Sequence, residues 1–304
     1  MLNAFFRLAI MKSILLIKRS FVNALLFFIL TVFVATVFAQ TKPSPLKNIK
    51  VLVYTKNGKG YVHDNIAASV KCIQKLGVEN GFKVDVSDDP TIYTDQNLKQ
   101  YTLLIFTSTN NDVFDTDAQR VAFRRYIEAG GGFVGLHSVL GTERNWTWFK
   151  QMLGGTFAWH ARHQKFKVKV IAPSHPTMQG WPLVSERELG DECYFTKEFY
   201  PGITVTMVHD LTTLDKRDSV EIKKNTGSFG SLFPAEWYQT FDGGNVWVTT
   251  LGHDKEYYQQ PEFVTHILKG IEFIAGQSKN KDYTKAYADS RDMPVRYTKA
   301  NFKP

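Results

Sequence analysis

Near-continuous apolar runs alternate with amphipathic segments through the first half of the chain. Runs without polar alternation are typical of parallel strands covered by helices on both faces; they lie at 49–55, 101–109 and 132–138. Residues 82–88 alternate instead, which predicts a strand nearer the sheet edge. Apolar residues recur at helical spacing after Asp64, a good N-cap, and from Asp115 to Ala129. This order predicts an α/β domain with a parallel sheet and right-handed crossovers.

Beyond Ser138 the pattern changes to strands separated by turn-rich stretches. The strand-like segments are 166–172, 203–210 and 245–254. An Asp-Gly-Gly turn at 242–244 predicts a hairpin, because these residues suit a turn that needs positive φ. A last helix is predicted to begin at Pro261 and to end before Gly276.

The two ends of the chain differ in composition from its body. Four basic and no acidic residues lie in the first 39 positions, where an uncharged run from Phe21 to Phe38 precedes Ala39 and Gln40. This pattern predicts a cleaved signal peptide, and an uncleaved membrane anchor is the alternative. The predicted division is a signal peptide (1–39), a linker (40–48), one folded domain (49–276) and a basic C-terminal extension (277–304).

The formal net charge of +8 is concentrated at those two ends, and residues 40–276 are close to neutral. A nucleic-acid-binding protein carries its basic excess on the folded surface that meets phosphate. We therefore expect no nucleic-acid partner. After signal cleavage we also expect no stable membrane association.

Cys72 and Cys193 are the only cysteines. An exported protein can form a disulfide, but Cys72 lies inside a predicted helix beside apolar neighbours. We therefore expect buried free thiols rather than a bridge.

Histidines and hydroxyl residues follow the predicted strands where a ligand is expected to bind. In open parallel sheets, ligands bind outside the carboxyl ends of the strands. His63 follows the first strand, His137 and Ser138 follow the fourth, and His253 and Asp254 follow the C-terminal strand. A run of four polar residues follows the third strand: Thr107, Ser108, Thr109 and Asn110. One strand-end histidine is usually a packing residue, but three at matching ends predict a shared cleft.

The stretch GGFVGLHS resembles a strand-to-helix elbow. Gly135 is expected to let the backbone turn sharply, so that the next side chains enter the cleft. A hydrolase would place Ser or Cys at the elbow, but His137 stands there. Nucleophilic acyl transfer therefore lacks its key atom, whereas imidazole can act as an acid, a base or a metal ligand.

Other candidate side chains carry weaker signals. His160 and His163 are three residues apart, a spacing that would put two ligands on one helical face, and two solvated histidines are an equal alternative. Asp191 and Glu192 form an adjacent carboxylate pair near Tyr194, with a solvated turn as the alternative. Aromatic rings pack well against the C–H faces of sugars. We therefore expect Trp159 and Trp237 in the cleft, and Trp247, which lies inside a strand, in the core.

Together these segments resemble the ThuA-like (trehalose utilisation) family. The motifs are GYVHD, GGGFVGLHS, GGTFAWHARHQKFKV, HPTMQGWP, DECYF and PAEWYQTFDGGNVWVTTLGHD, in order across 49–276. The resemblance implies a flavodoxin-like, class I glutamine amidotransferase-like three-layer α/β sandwich with a mostly parallel central sheet. Amidotransferases of that fold use a cysteine at the elbow, so His137 argues against glutaminase activity.

The resemblance also implies use of trehalose or related glycosides, apparently through 3-keto intermediates. We therefore expect a periplasmic or secreted protein that binds a small carbohydrate, either as a hydrolase, lyase or isomerase or as a non-catalytic sugar-binding accessory. The expected catalytic residues are His63, His137 and His253. The expected substrate-binding residues are Ser108, Thr109, Ser138, Trp159, Asp191, Glu192, Tyr194, Trp237 and Asp254. A divalent metal such as zinc, with His160 as a ligand, and a homo-oligomer both stay open.

Overall fold

The computed structural model describes residues 46–182, 186–278 and 280–296. The predicted signal peptide, most of the predicted linker and Tyr297 onward lie outside the described residues. Within the described part of the chain, no helix is both long and apolar enough to span a bilayer.

Eleven strands and six α-helices are present in the described residues, joined by short 3₁₀ turns. The strands are β1 (Lys50–Tyr54), β2 (Lys83–Ser87), β3 (Leu103–Thr107), β4 (Gly132–Leu136), β5 (Thr156–His160), β6 (Gln164–Val170), β7 (Glu186–Asp191), β8 (Tyr194–Lys197), β9 (Thr204–Asp210), β10 (Leu232–Phe241) and β11 (Gly244–Thr249). The helices are α1 (Ile66–Asn80), α2 (Asp95–Leu98), α3 (Asp117–Glu128), α4 (Thr147–Leu153), α5 (Ser219–Thr226) and α6 (Pro261–Gln277).

Nine of these strands form one mixed sheet in the order β2-β1-β3-β4-β11-β10-β9-β6-β7. The strands from β2 to β11 in that order are parallel. The other half is antiparallel. The structure therefore confirms the α/β fold, and the sheet predicted to be mostly parallel is a mixed sheet in which five of the nine strands are parallel. β5 and β8 form a separate antiparallel pair.

The change of direction occurs at the hairpin between β10 and β11, as the Asp-Gly-Gly turn predicts. Asp242 has φ +48° and Gly243 has φ +97°. A two-residue turn with positive φ matches the twist of antiparallel strands, so it returns the chain beside β10. β11 then pairs in parallel with β4, which brings its carboxyl end beside that of β4.

Two hydrophobic clusters bury opposite faces of the sheet, as β1 shows. Val51 and Val53 belong to one cluster, which includes residues of α1 and α6. Leu52 and Tyr54 belong to the other, which includes residues of α3 and α4. Because successive side chains of a strand point to opposite faces, helices contribute to the core on both sides of the sheet. Trp247 is fully buried, as predicted.

Three local predictions are corrected by the structure. The N-cap of α1 is Asn65 rather than Asp64. The segment with His160 is strand β5 rather than a helix, so His160 and His163 do not share a helical face. The positive φ at the elbow belongs to His137, at +53°. Gly135 lies within β4, where an added Cβ would be 2.8 Å from Val139 Cγ1.

The described part of the C-terminal extension packs on α3 through a buried ion-pair group. Arg124 Nε donates to Glu128 Oε1 at 2.9 Å, and its Nη2 lies 3.5 Å from Asp242 Oδ2. The other oxygen of Glu128 accepts the backbone N–H groups of Tyr287 and Ala288. This end of the chain is thus held by a buried carboxylate.

Candidate functional site

Three histidines follow three strands of the parallel half of the sheet and meet at one of its edges. His63 comes after β1, His137 begins the 3₁₀ turn after β4, and His253 comes after β11. Because the carboxyl ends of parallel strands share an edge, side chains far apart in sequence come together there. The ring centroids of His63 and His137 are 4.8 Å apart, and those of His137 and His253 are 5.2 Å apart.

His137 is fixed in one orientation. Its side chain is fully buried and its backbone is left-handed, at φ +53°. A non-glycine residue in this region is strained, and such strain is concentrated at functional sites. Nδ1 lies 3.0 Å from the carbonyl oxygen of Thr250, so Nδ1 carries the proton and donates. The Nε2 lone pair is thereby directed toward His253.

The other two imidazoles complete the cluster with a carboxylate from a distant part of the sheet. His253 Nδ1 lies 3.3 Å from His137 Nε2 and 3.1 Å from Glu192 Oε2. Ser138 Oγ lies 3.2 Å from His63 Nδ1, and the Tyr194 hydroxyl lies 3.5 Å from Nε2 of the same ring. One donor atom from each of these four residues lies within 4.8 Å of the others. We call His63, His137, Glu192 and His253 the strand-end cluster.

Asp191 positions two members of this cluster without reaching the cavity. It is fully buried, and its two oxygens accept the backbone N–H groups of Gly252 at 2.8 Å, His253 at 3.2 Å and Glu192 at 2.7 Å. It therefore ties the loop after β7 to the loop after β11. Burial raises the pKa of Asp191 to about 7, although the backbone hydrogen bonds oppose that rise.

Burial and mutual proximity separate the protonation preferences of the histidines. Burial, reinforced by His253, lowers the pKa of His63 to about 4. Burial and His63 also hold the pKa of His137 well below its usual value. In contrast, the hydrogen bond to Glu192 raises the pKa of His253. Burial alone would raise the pKa of Glu192, but His253 and the neighbouring imidazoles lower it overall.

A cavity of about 430 Å³ opens above the cluster. Its volume falls in the range of small-molecule sites. The mouth includes Tyr61, which is 62% exposed, and the exposed Arg144, whose guanidinium lies over the Phe157 ring. The lining residues are Tyr61, His63, Asn110, Ser138, Gly141, Arg144, Phe157, His160, Glu192, Tyr194 and His253.

Several residues predicted from the sequence therefore border the cavity. Tyr194 places its hydroxyl 3.2 Å from His137 Nε2 and 3.5 Å from His63 Nε2. His160 borders the cavity, with Nδ1 3.4 Å from Glu192 Oε1, but it is not a member of the strand-end cluster. His137 lies beneath the lining and is itself fully buried.

The remaining predicted substrate-binding residues do not line the cavity. Trp237 is fully buried, with its indole N–H donating to the carbonyl of Leu153, and Trp159 packs beside Phe195. Those positions correct our placement of both tryptophans in the cleft, because each fills core space instead. The others outside the lining are Ser108 and Thr109, which are buried, Asp191, and Asp254, which pairs with His163.

Five lining residues are not among the site residues predicted from the sequence: Tyr61, Asn110, Gly141, Arg144 and Phe157. Asn110 had a usable signal, because it ends the polar group that follows β3. Tyr61, Arg144 and Phe157 had none, since they come from loops and from the separate β5–β8 pair. Arg144 is held at the mouth by bonds from Nε to Gly141 O and from Nη2 to Asn110 Oδ1.

Comparison with known proteins places the chain in a family. The family described as ThuA, trehalose utilisation, matches residues 50–274. A solved ThuA-like protein from Bacteroides uniformis is 20% identical, with a TM-score of 0.63 over 80% of this chain and 98% of that one. Another, from Parabacteroides merdae, is 18% identical, with a TM-score of 0.57 over 78% of this chain and 93% of that one. No curated protein matches.

At such identities the solved structures support the fold alone. They support an α/β fold with a large mixed central sheet, which agrees with the topology described above. The family match, in contrast, extends over most of the chain, from β1 into α6. On that basis this chain belongs to the ThuA (trehalose utilisation) family.

Proposed function

We propose that this protein is an exported enzyme of carbohydrate utilisation that acts on trehalose, a related glycoside or its 3-keto derivative. Family membership supports the substrate class. The observation that carries the enzymatic part is the strand-end cluster at the floor of an open cavity. Titratable groups with shifted pKa values in a cleft are typical of functional sites.

The proposed chemistry is proton transfer next to a ketone. A carbonyl acidifies the adjacent C–H bond, so elimination or isomerisation needs a base at the hydrogen and stabilisation of charge at the oxygen. The strand-end cluster forms the electrophilic end: His63 and His253 border the cavity, His137 lies buried beneath them, and Tyr194 supplies a hydroxyl.

His160 is the proposed base. It borders the same cavity, and its Nδ1 lies 3.0 Å from the carbonyl oxygen of Ala161. If Nδ1 donates to that carbonyl, Nε2 is the basic nitrogen. The acid and base roles would then belong to different groups that border one cavity.

Glutaminase activity is not part of this proposal. Both cysteines are free and buried. Burial raises the pKa of each thiol, so neither is a ready nucleophile. The elbow position is His137 rather than either cysteine.

The test is turnover of 3-keto-trehalose and 3-keto-glucosides by purified protein, followed by NMR of the products. We expect turnover, with kcat at least 100-fold lower in His160→Gln because general base catalysis contributes about 10²–10⁴ in rate. His175→Gln is the matched control, since His175 lies outside the cavity and bonds to Thr177.

A non-catalytic sugar-binding accessory gives a different result. Ligand would then raise the melting temperature without any turnover, and His160→Gln would leave that shift unchanged. This outcome would overturn the enzymatic proposal while leaving the carbohydrate assignment intact.

We also propose that residues 1–39 direct export and that the layering is flavodoxin-like, as in class I glutamine amidotransferases. The basic N-terminal residues and the uncharged run support the first proposal, and core contributions from helices on both sheet faces support the second. Export is tested by the mass of the protein recovered from the periplasmic or extracellular fraction of the cells that produce it. We expect a mature chain that begins near Gln40, and a full-length chain would contradict export with cleavage.

A further inference from the structure

We propose that the strand-end cluster, His63, His137, Glu192 and His253, binds one divalent transition-metal ion. This metal site would be part of the proposed active site, and it rests on the proposed function for the statement that substrate binds in this cavity. The sequence suggested His160 as a ligand, whereas the geometry points to Glu192.

The spacing of the donor atoms fits one shared ion. His253 Nδ1 lies 3.1 Å from Glu192 Oε2 and 3.3 Å from His137 Nε2, and His137 Nε2 lies 4.0 Å from Glu192 Oε2. With His63 included, the four donor atoms lie within 4.8 Å of one another. Ligands that bind zinc at about 2.1 Å in a tetrahedron are about 3.4 Å from one another. Small side-chain rotations would therefore equalise these distances around one centre.

The nitrogen atoms that would bind the ion are selected by hydrogen bonds at the other side of each ring. His137 Nδ1 bonds to the carbonyl of Thr250 at 3.0 Å, and His63 Nδ1 bonds to the hydroxyl of Ser138 at 3.2 Å. Metal-binding histidines almost always have such a partner on the second nitrogen, because it sets the tautomer and ring orientation. Asp191 positions the other two ligands by accepting hydrogen bonds from the backbone N–H groups of Glu192 and His253.

The depth of His137 favours a metal ligand over a direct acid or base. Its side chain is fully buried and it does not line the cavity, so it cannot touch a substrate there. Its Nε2 does reach the same point as the donors of Glu192 and His253. A bound ion would connect this buried ring with the cavity.

The donor types define the class of ion. Three imidazole nitrogens and one carboxylate oxygen suit zinc, manganese, iron or cobalt, whereas magnesium and calcium prefer oxygen alone. His63, Glu192 and His253 also border the cavity, so the ion would face it on one side. An ion open to a cavity is the arrangement of catalytic rather than structural sites.

The experiment measures metal binding without substrate. Protein that begins at Gln40 and carries no His-tag is stripped with chelator, dialysed, and titrated with Zn²⁺, Mn²⁺ and Co²⁺. Bound metal is quantified by mass spectrometry, and Co²⁺ is also followed by visible absorption. We expect one equivalent per chain for at least one ion, and a rise in melting temperature on adding that ion.

Variants then identify the ligands. In His63→Gln and Glu192→Gln we expect the affinity for the ion to fall at least tenfold and the thermal shift to disappear. His175→Gln should match the wild type. Circular dichroism spectra that match the wild type would establish that both ligand variants are folded; if one is not, the other decides.

The two proposals fail in distinguishable ways. Less than a tenth of an equivalent of every ion, or unchanged affinity in both ligand variants, would overturn the metal site. Turnover of a keto-sugar by protein stripped of metal with chelator would overturn a catalytic role for the metal ion. Stoichiometric metal without any turnover would instead overturn the enzymatic proposal alone.

Discussion

Replacing Arg124 with Met should destabilise the fold far more than the same change at the next residue. Arg124 is fully buried and pairs with two carboxylates that are at most 1% exposed, on Glu128 and Asp242. Its Nη1 also donates to the carbonyl oxygens of Arg291 at 3.1 Å and Met293 at 2.5 Å. Removing one partner of a buried ion pair costs about 3–5 kcal/mol, because the remaining charge stays buried without compensation.

Arg125→Met is the matched control. Arg125 pairs with Asp95 at 2.8 Å, but its side chain is 28% exposed. Partly exposed pairs contribute about 0–1 kcal/mol. Urea unfolding followed by tryptophan fluorescence should therefore show a loss of about 3–5 kcal/mol for Arg124→Met and at most about 1 kcal/mol for Arg125→Met.

The same comparison tests the explanation as well as the size of the effect. Arg124→Met with Glu128→Gln should recover part of the loss, since the uncompensated carboxylate is then gone. Hydrogen exchange at Tyr287 and Ala288, whose N–H groups bond to Glu128, should speed up in the single variant. Equal stability of Arg124→Met and Arg125→Met would show that the buried ion pairs of Arg124 do not stabilise the fold.

Three further predictions address pH, the cavity mouth and the core. Burial lowers the pKa of His209 to about 3, so the stability that comes from its neutral form is complete above pH 6.5 and is lost as the pH falls toward 3. Between pH 7 and 5 the free energy of unfolding in urea should fall by about 2 kcal/mol more in the wild type than in His209→Gln. Parallel pH profiles of the two proteins would be contrary evidence. If Arg144 binds substrate at the cavity mouth, Arg144→Gln should raise KM about 10- to 150-fold with kcat within twofold, since a hydrogen bond from a charged group contributes about 1.5–3 kcal/mol. An unchanged KM in steady-state kinetics would exclude a substrate-binding role for Arg144. Gly270→Ala should destabilise by about 1–3 kcal/mol because an added Cβ would lie 2.4 Å from the Trp247 ring, and a melting temperature equal to that of the wild type would argue against this tight contact.

The predictable part of the fold is the part with strong local patterns. β1, β3 and β4 are apolar apart from Lys50 and Thr107, and the helices between them have one apolar face, so their order could be predicted directly. The antiparallel half was not anticipated as part of the same sheet. Pairing between β9, β6 and β7 depends on contacts distant in sequence, and no local pattern encodes them.

The site shows the same division. His63, His137 and His253 could be brought together from sequence because each follows a parallel strand, and one general rule then applies. Glu192 could be named as a candidate, but its place beside His253 depends on Asp191 joining two loops. Trp237 has a side chain of the type that binds sugars, yet it is buried because of the way β10 packs in the sheet.

The most direct test of the central claim is an anomalous difference map from crystals of the mature protein soaked with Zn²⁺ and measured at the zinc absorption edge. We expect one peak per chain, about 2.0–2.2 Å from a donor atom of each of His63, His137, Glu192 and His253. A map with no peak there, or with zinc bound only elsewhere, would contradict the claim that these four residues form one metal site.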